Sequence, residues 1–192
     1  MLAIVGAGHQ ARPHIAAMLE ARPFERIRIA SRSFESAQRL AEEWPLAAAV
    51  ESAEEAVRGA DVICTVTNSA EPVVLGDWLD SGTHVNAVGA CLPNIRELDG
   101  PAMACASLFV DRRESAQNEA GDYLLAVREG AIGDGHIKAE LGEVLAGTAQ
   151  GRTSEEEITV FESLGLAVED LAAAEYLERR AIRAGVGATL EF

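Results

Sequence analysis

Met1-Leu2-Ala3-Ile4-Val5-Gly6-Ala7-Gly8-His9-Gln10-Ala11 opens the chain: an apolar, β-prone run that meets two glycines one residue apart. Gly6 permits a sharp bend, Gly8 lets the backbone approach a pyrophosphate, and Ala11, small in place of a third glycine, allows close helix–strand packing. The helix that follows points free N–H groups and the positive end of its dipole at the phosphates. The pattern reads as the phosphate-binding turn of a dinucleotide-binding βα unit. A ligand-free turn between strand and helix uses the same glycines, so the rest of the chain has to separate the two readings.

Outward from this turn, short β-rich runs alternate with helical segments, the pattern of a parallel sheet with crossover helices. Strands are predicted at residues 2–5, 26–30, 47–50, 61–67, 83–88 and 107–110, with a possible last one at 158–161. Helices are predicted at 9–21, 34–44, 52–58, 97–104, 112–119, 123–128, 137–145 and 167–184. The expected fold class is α/β, a Rossmann-like doubly wound parallel sheet with C-terminal helices. Residues 1–184 form the dinucleotide-binding domain in this reading, and residues 185–192 a turn and a terminal strand with no partner nearby in sequence.

The chain has 192 residues, enough to bury a real core, and a formal net charge of −15. So acidic a chain is expected to bind no nucleic acid, which needs clustered Lys and Arg, and any phosphorylated ligand must be held by local features. No apolar run approaches the roughly 20 residues of a membrane span and no signal core follows the start, so a cytoplasmic protein without a membrane partner is expected. Cys64, Cys91 and Cys105 are odd in number and lack C-x-x-C spacing, which indicates neither a disulfide framework nor a zinc site. His14, His84 and His136 are scattered without ligand spacing, and no metal is expected.

The nucleotide is read at the end of the second strand, where an acidic residue selects NAD by bonding the adenine ribose. Here the strand runs into Ser31-Arg32-Ser33. A guanidinium flanked by two hydroxyls suits the 2′-phosphate of NADP. Ser33 also suits a helix cap, with Arg32 a solvated cation beside it. Thr65-Val66-Thr67-Asn68-Ser69 and Val88-Gly89-Ala90 end two further strands, at the edge where ligands sit in open α/β sheets. In isolation the first of these reads better as a hydroxyl-rich turn, and three strand ends carrying such groups favour the ligand crevice.

Taken in order, several segments resemble the ornithine cyclodeaminase and mu-crystallin family. They are Gly6-Ala7-Gly8-His9-Gln10-Ala11-Arg12, Ala60-Asp61-Val62-Ile63, Gly82-Thr83-His84-Val85-Asn86-Ala87-Val88-Gly89-Ala90 and Arg96-Glu97-Leu98-Asp99. Phe109-Val110-Asp111, Glu119-Ala120-Gly121-Asp122, Glu140-Leu141-Gly142-Glu143-Val144-Leu145 and Ile158-Thr159-Val160-Phe161-Glu162-Ser163-Leu164-Gly165 continue the likeness. The resemblance implies a nicotinamide enzyme acting on amino acids or cyclic imines, with Asp122 handling protons. From residue type alone, Asp122 reads first as a helix cap for Leu124 or Leu125, and the family resemblance turns the reading to catalysis. By position the family implies Gly6, Ala7, Gly8, His9 and Gln10 at the phosphates and Ser31, Arg32 and Ser33 as the NADP selector. It further implies Thr65 and Thr67 along the cofactor, Val88 and Ala90 near the nicotinamide, and Ser163 close by.

The resemblance also implies an N-terminal substrate and dimerisation region that this chain lacks, to which the terminal strand would return, and a homodimer when full length. Glu162 stands where the family often has lysine. Three functions are compatible with these residues: NADP-dependent reduction of cyclic imines of the pyrroline or piperideine carboxylate type, ornithine cyclodeamination with bound NAD, or binding of NADP or a small ligand without turnover. The absence of an acidic residue at the second strand ranks reduction with NADP ahead of cyclodeamination with NAD.

Overall fold

The computed structural model describes residues 1–188 and residue 190. The expected terminal strand depends on residues 189, 191 and 192 and lies outside the described residues.

Eight parallel strands form one sheet: β1 (Leu2–Val5), β2 (Ile27–Ala30), β3 (Ala47–Ala49), β4 (Val62–Thr65), β5 (His84–Ala87), β6 (Ser107–Val110), β7 (Ile137–Glu140) and β8 (Thr159–Glu162). The helices are α1 (Ala11–Ala21), α2 (Phe34–Ala41), α3 (Ala53–Val57), α4 (Gly100–Cys105), α5 (Arg113–Glu119), α6 (Gly121–Arg128), α7 (Leu141–Leu145) and α8 (Ala167–Ala184). None of them is long and apolar enough to cross a membrane.

The strand order is β3-β2-β1-β4-β5-β8-β6-β7. Because β1 lies between β2 and β4, all four of its residues are buried and it is apolar throughout. Successive residues still feed opposite faces. Leu2 and Ile4 pack with Ile15 of α1 and Leu40 of α2, whereas Ala3 and Val5 join Val57, Met103 and Tyr123 on the other side. Those two cores make the sheet doubly wound. Fully burying each such Ile or Leu contributes about 1.5–3 kcal/mol.

Two sequence expectations need correction. Residues 137–145 are not one helix: Ile137–Glu140 is an edge strand paired with β6, and α7 starts only at Leu141. Alternate burial of Ile137 and Ala139 suits a strand covered on one face, and no glycine or proline separates it from the helix that follows. The helix expected from residue 97 begins instead at Gly100. Asp99 caps it by accepting from the Ala102 amide (2.8 Å), and Pro101 occupies its first turn.

The return of the chain matters most for function. After β5 it skips one place, builds β6 and β7 beyond the gap, and brings β8 back between β5 and β6. The carboxyl end of β8, Glu162 and Ser163, is thereby set beside those of β5 and β6.

Candidate functional site

The carboxyl edge of the sheet carries the β1–α1 turn. Gly6 has φ +118°, and a Cβ there would lie 2.7 Å from the Val66 carbonyl oxygen. Backbone conformation and close approach therefore both demand glycine. Gly8 is exposed, and a Cβ on it would meet nothing within 4 Å, so an open face lies above this position. Ala7 is half-buried, His9 and Gln10 are exposed, and α1 begins with no side chain capping its first turn. Open backbone next to an uncapped helix start fits a pyrophosphate.

At the end of β2, the Ser33 hydroxyl accepts from the Ser36 amide (3.3 Å) and caps α2, while Arg32 is exposed and forms no ion pair among the described residues. Both readings of this segment hold together: Ser33 caps, and Arg32 projects a free cation beside half-buried Ser31. These residues fit a 2′-phosphate.

The ends of β4 and β5 are tied together by Glu97, whose role no local sequence signal marks. Its carboxylate accepts from the Thr67 amide (2.5 Å) and the Gly89 amide (2.7 Å). Burial raises the Glu97 pKa, while the Thr67 and Thr65 hydroxyls and the Thr67 and Gly89 amides oppose the rise. Gly89 is required, since a Cβ there would stand 1.8 Å from the Thr67 carbonyl oxygen. Thr65 is fully buried on the Glu97 side, whereas Thr67 and Val88 are half-buried at the edge. Ala90 is buried, and its carbonyl accepts from the Gly121 amide (3.0 Å), which ties α6 to this edge.

Asp122 sits in the first turn of α6 and is 1% exposed. It does not cap its own helix. Its Oδ1 accepts from the amides of Glu97 and Leu98, both at 2.8 Å, and its Oδ2 is buried without a partner among the described residues. Gly121 allows this approach, because a Cβ there would lie 1.7 Å from the Ile95 carbonyl oxygen. Burial pushes the Asp122 pKa up to about 7, the Glu97 charge adds to the rise, and the Leu98 and Glu97 amides and Arg96 oppose it. A carboxyl group poised near neutrality can hold or release a proton under ordinary conditions.

Glu162 is 1% exposed, and both its oxygens are buried without partners among the described residues. Burial raises its pKa well above the usual range, with the charges of Asp122, Glu97 and Asp111 adding to the rise. Asp111, at the end of β6, is fully engaged: its carboxylate accepts from the Leu164 (2.8 Å), Gly165 (2.6 Å) and Arg112 (2.7 Å) amides. Half-buried Ser163 donates its amide to the Ala87 carbonyl (2.8 Å) and so extends the β5–β8 edge. The turn at Gly6–Gln10, Ser31–Ser33, Thr67, Val88 and Ser163 therefore lie along one edge, with Asp122 at its β5–β6 end. His84 and His136 are absorbed in structural hydrogen bonds, to Thr159 and Asn86 and to the Met103 and Ala106 carbonyls.

A Delta(1)-pyrroline-2-carboxylate reductase of Bacillus cereus is 41% identical to this chain, over 100% of it and 60% of its own length. The ketimine reductase mu-crystallin of Mus musculus is 45% identical over 91% of this chain and 53% of its own. The fold matches the structure of Thermococcus litoralis Delta(1)-pyrroline-2-carboxylate reductase in complex with NADH and L-proline at a TM-score of 0.94 and 39% identity, covering 98% of this chain and 60% of that one. The chain thus spans 53–60% of the length of these relatives. The ornithine cyclodeaminase/mu-crystallin family model matches residues 1–185, and the chain belongs to that family.

Proposed function

We propose that this chain is the cofactor-binding part of an NADP-dependent reductase of cyclic imines of the pyrroline or piperideine carboxylate type. Relatives named as pyrroline-2-carboxylate and ketimine reductases support the reaction class. The observation that carries the reading is Asp122, a buried carboxyl with one unpartnered oxygen and a pKa near 7 at the end of the sheet edge. A reduced nicotinamide supplies a hydride when bound. The backbone from Gly6 to Gln10 and the start of α1 bind the pyrophosphate, and Ser31, Arg32 and Ser33 hold the 2′-phosphate. Thr65 and Thr67 belong to the cofactor edge, Val88, Ala90 and Ser163 to its nicotinamide end.

An imine carbon accepts hydride readily only when its nitrogen is protonated, so the chain's own task is to supply a proton there. Asp122 holds one at Oδ2 up to about pH 7. In the whole protein this reading places a homodimer in the cytoplasm, in line with an archaeal alanine dehydrogenase of the same fold described as a dimer with bound NAD. Ornithine cyclodeamination with bound NAD fits less well, because no carboxylate ends β2.

The test follows NADPH consumption with Δ1-pyrroline-2-carboxylate. Asp122→Asn is expected to slow it at least about 100-fold, the usual contribution of a general acid, with NADPH binding unchanged. An unchanged rate would overturn the assignment of Asp122.

A further inference from the structure

Glu162 is the largest unexplained polar group in the core. A carboxyl with both oxygens buried and unpartnered is costly, and native folds relieve such groups by protonation or by pairing. Fold topology delivers it here: β8 enters the gap between β5 and β6, and its last residue pairs in register with Ala87 and Val110. One residue earlier, Phe161 points to the opposite face. Ala87 and Val110 belong to the same core as Ala120 and Tyr123, on either side of Asp122 in α6, and Asp122 Oδ2 is the other buried carboxyl oxygen without a partner among the described residues.

We propose that Asp122 and Glu162 act as one proton-sharing carboxyl pair, in which Glu162 is the positioning partner that keeps its proton while Asp122 exchanges its own. The asymmetry follows from the hydrogen bonds. Asp122 Oδ1 has two backbone N–H donors that favour its charged form, and Glu162 has none, so Asp122 ionises first. Once Asp122 is charged, Glu162 cannot lose its proton without placing a second charge in the same dry space. The pair then carries no more than one negative charge, and a proton stays beside the reacting nitrogen after Asp122 has given one up.

The groups around the pair agree with this. Glu97 and Cys91 lie on the segment after β5, Asp111 lies at the end of β6, and Arg96 flanks Asp122. Glu97 and Asp111 already commit their oxygens to backbone amides. Arg96 is bound to Glu129 at 2.7 Å and partly offsets the charge on Asp122 alone. No cation among these groups pairs with Glu162.

This deepens the proposed role of Asp122 and rests on it for its catalytic meaning, but the pair is measurable without cofactor or substrate. Carboxyl 13C resonances of the chain, titrated by NMR, should place the Glu162 midpoint well above the ordinary carboxylate range. In Asp122→Asn the Glu162 midpoint should fall by at least about one pH unit, the mark of coupled sites. In Glu162→Gln the Asp122 midpoint should move by less than about one pH unit, because Glu162 is already uncharged while Asp122 titrates. An ordinary Glu162 midpoint, a Glu162 midpoint unmoved in Asp122→Asn, or an Asp122 midpoint that falls by more than about one pH unit in Glu162→Gln would overturn the pair and leave the reductase reading standing. A full rate in Asp122→Asn would instead overturn that reading while the NMR coupling remained.

Discussion

Two glycines on the cofactor edge separate structural from ligand-binding demands. At Gly89 a Cβ would collide with the Thr67 carbonyl at 1.8 Å, so Gly89→Ala should cost about 3 kcal/mol or more in chemical denaturation. At Gly8 a Cβ meets nothing, so Gly8→Ala should leave the melting temperature unchanged and, by the proposed pyrophosphate contact, weaken dinucleotide binding about tenfold or more. Unequal legibility at this scale has a physical cause. The ligand roles proposed for Gly8 and Arg32 come from local signals, and Gly6 is readable because local backbone sets its turn. Glu97 was not, since its burial depends on Thr67, thirty positions away. Asp122 reads as a helix cap from its neighbours, and only the tertiary fold supplies the amides of Glu97 and Leu98 that it binds instead.

Among the elements, β8 is the one whose placement builds the far end of the site, and Asp111 holds the turn that follows it. Asp111→Ala would leave the Leu164 and Gly165 amides without their acceptor and should cost about 1–3 kcal/mol. Hydrogen exchange of residues 163–166 should accelerate while that of β1 stays slow, and equal acceleration across the sheet would point to a global effect instead. The central strands were legible because burial on both faces writes a continuous apolar run, as in Leu2-Ala3-Ile4-Val5. The edge strand β7 was not: Ile137-Lys138-Ala139-Glu140 is short, half-polar and fused to α7 without a breaker. Nor does sequence order betray that β8 enters between two earlier strands, since β6 and β7 intervene along the chain.

For the molecule as a whole, the buried carboxyls tie stability to pH. The folded chain keeps the Asp122 proton up to about pH 7, whereas an unfolded aspartate loses it near pH 4. Between these values the folded state binds more protons than the unfolded state. This contribution to stability is therefore fully present below about pH 4 and is lost as pH rises through about 7. Glu162, raised further, extends the loss to higher pH. Thermal melts of the wild type relative to Asp122→Asn should show this decline, with the variant flatter across the window; parallel curves would contradict it. The sheet edge from Gly6 to Ser163 is the proposed NADP site. Nicotinamide fluorescence during titration of the chain with NADPH and NADH tests it most directly. Tighter binding of NADPH, with the preference lost in Arg32→Ala, is the predicted result, and binding of neither nucleotide, or a preference for NADH, would contradict it.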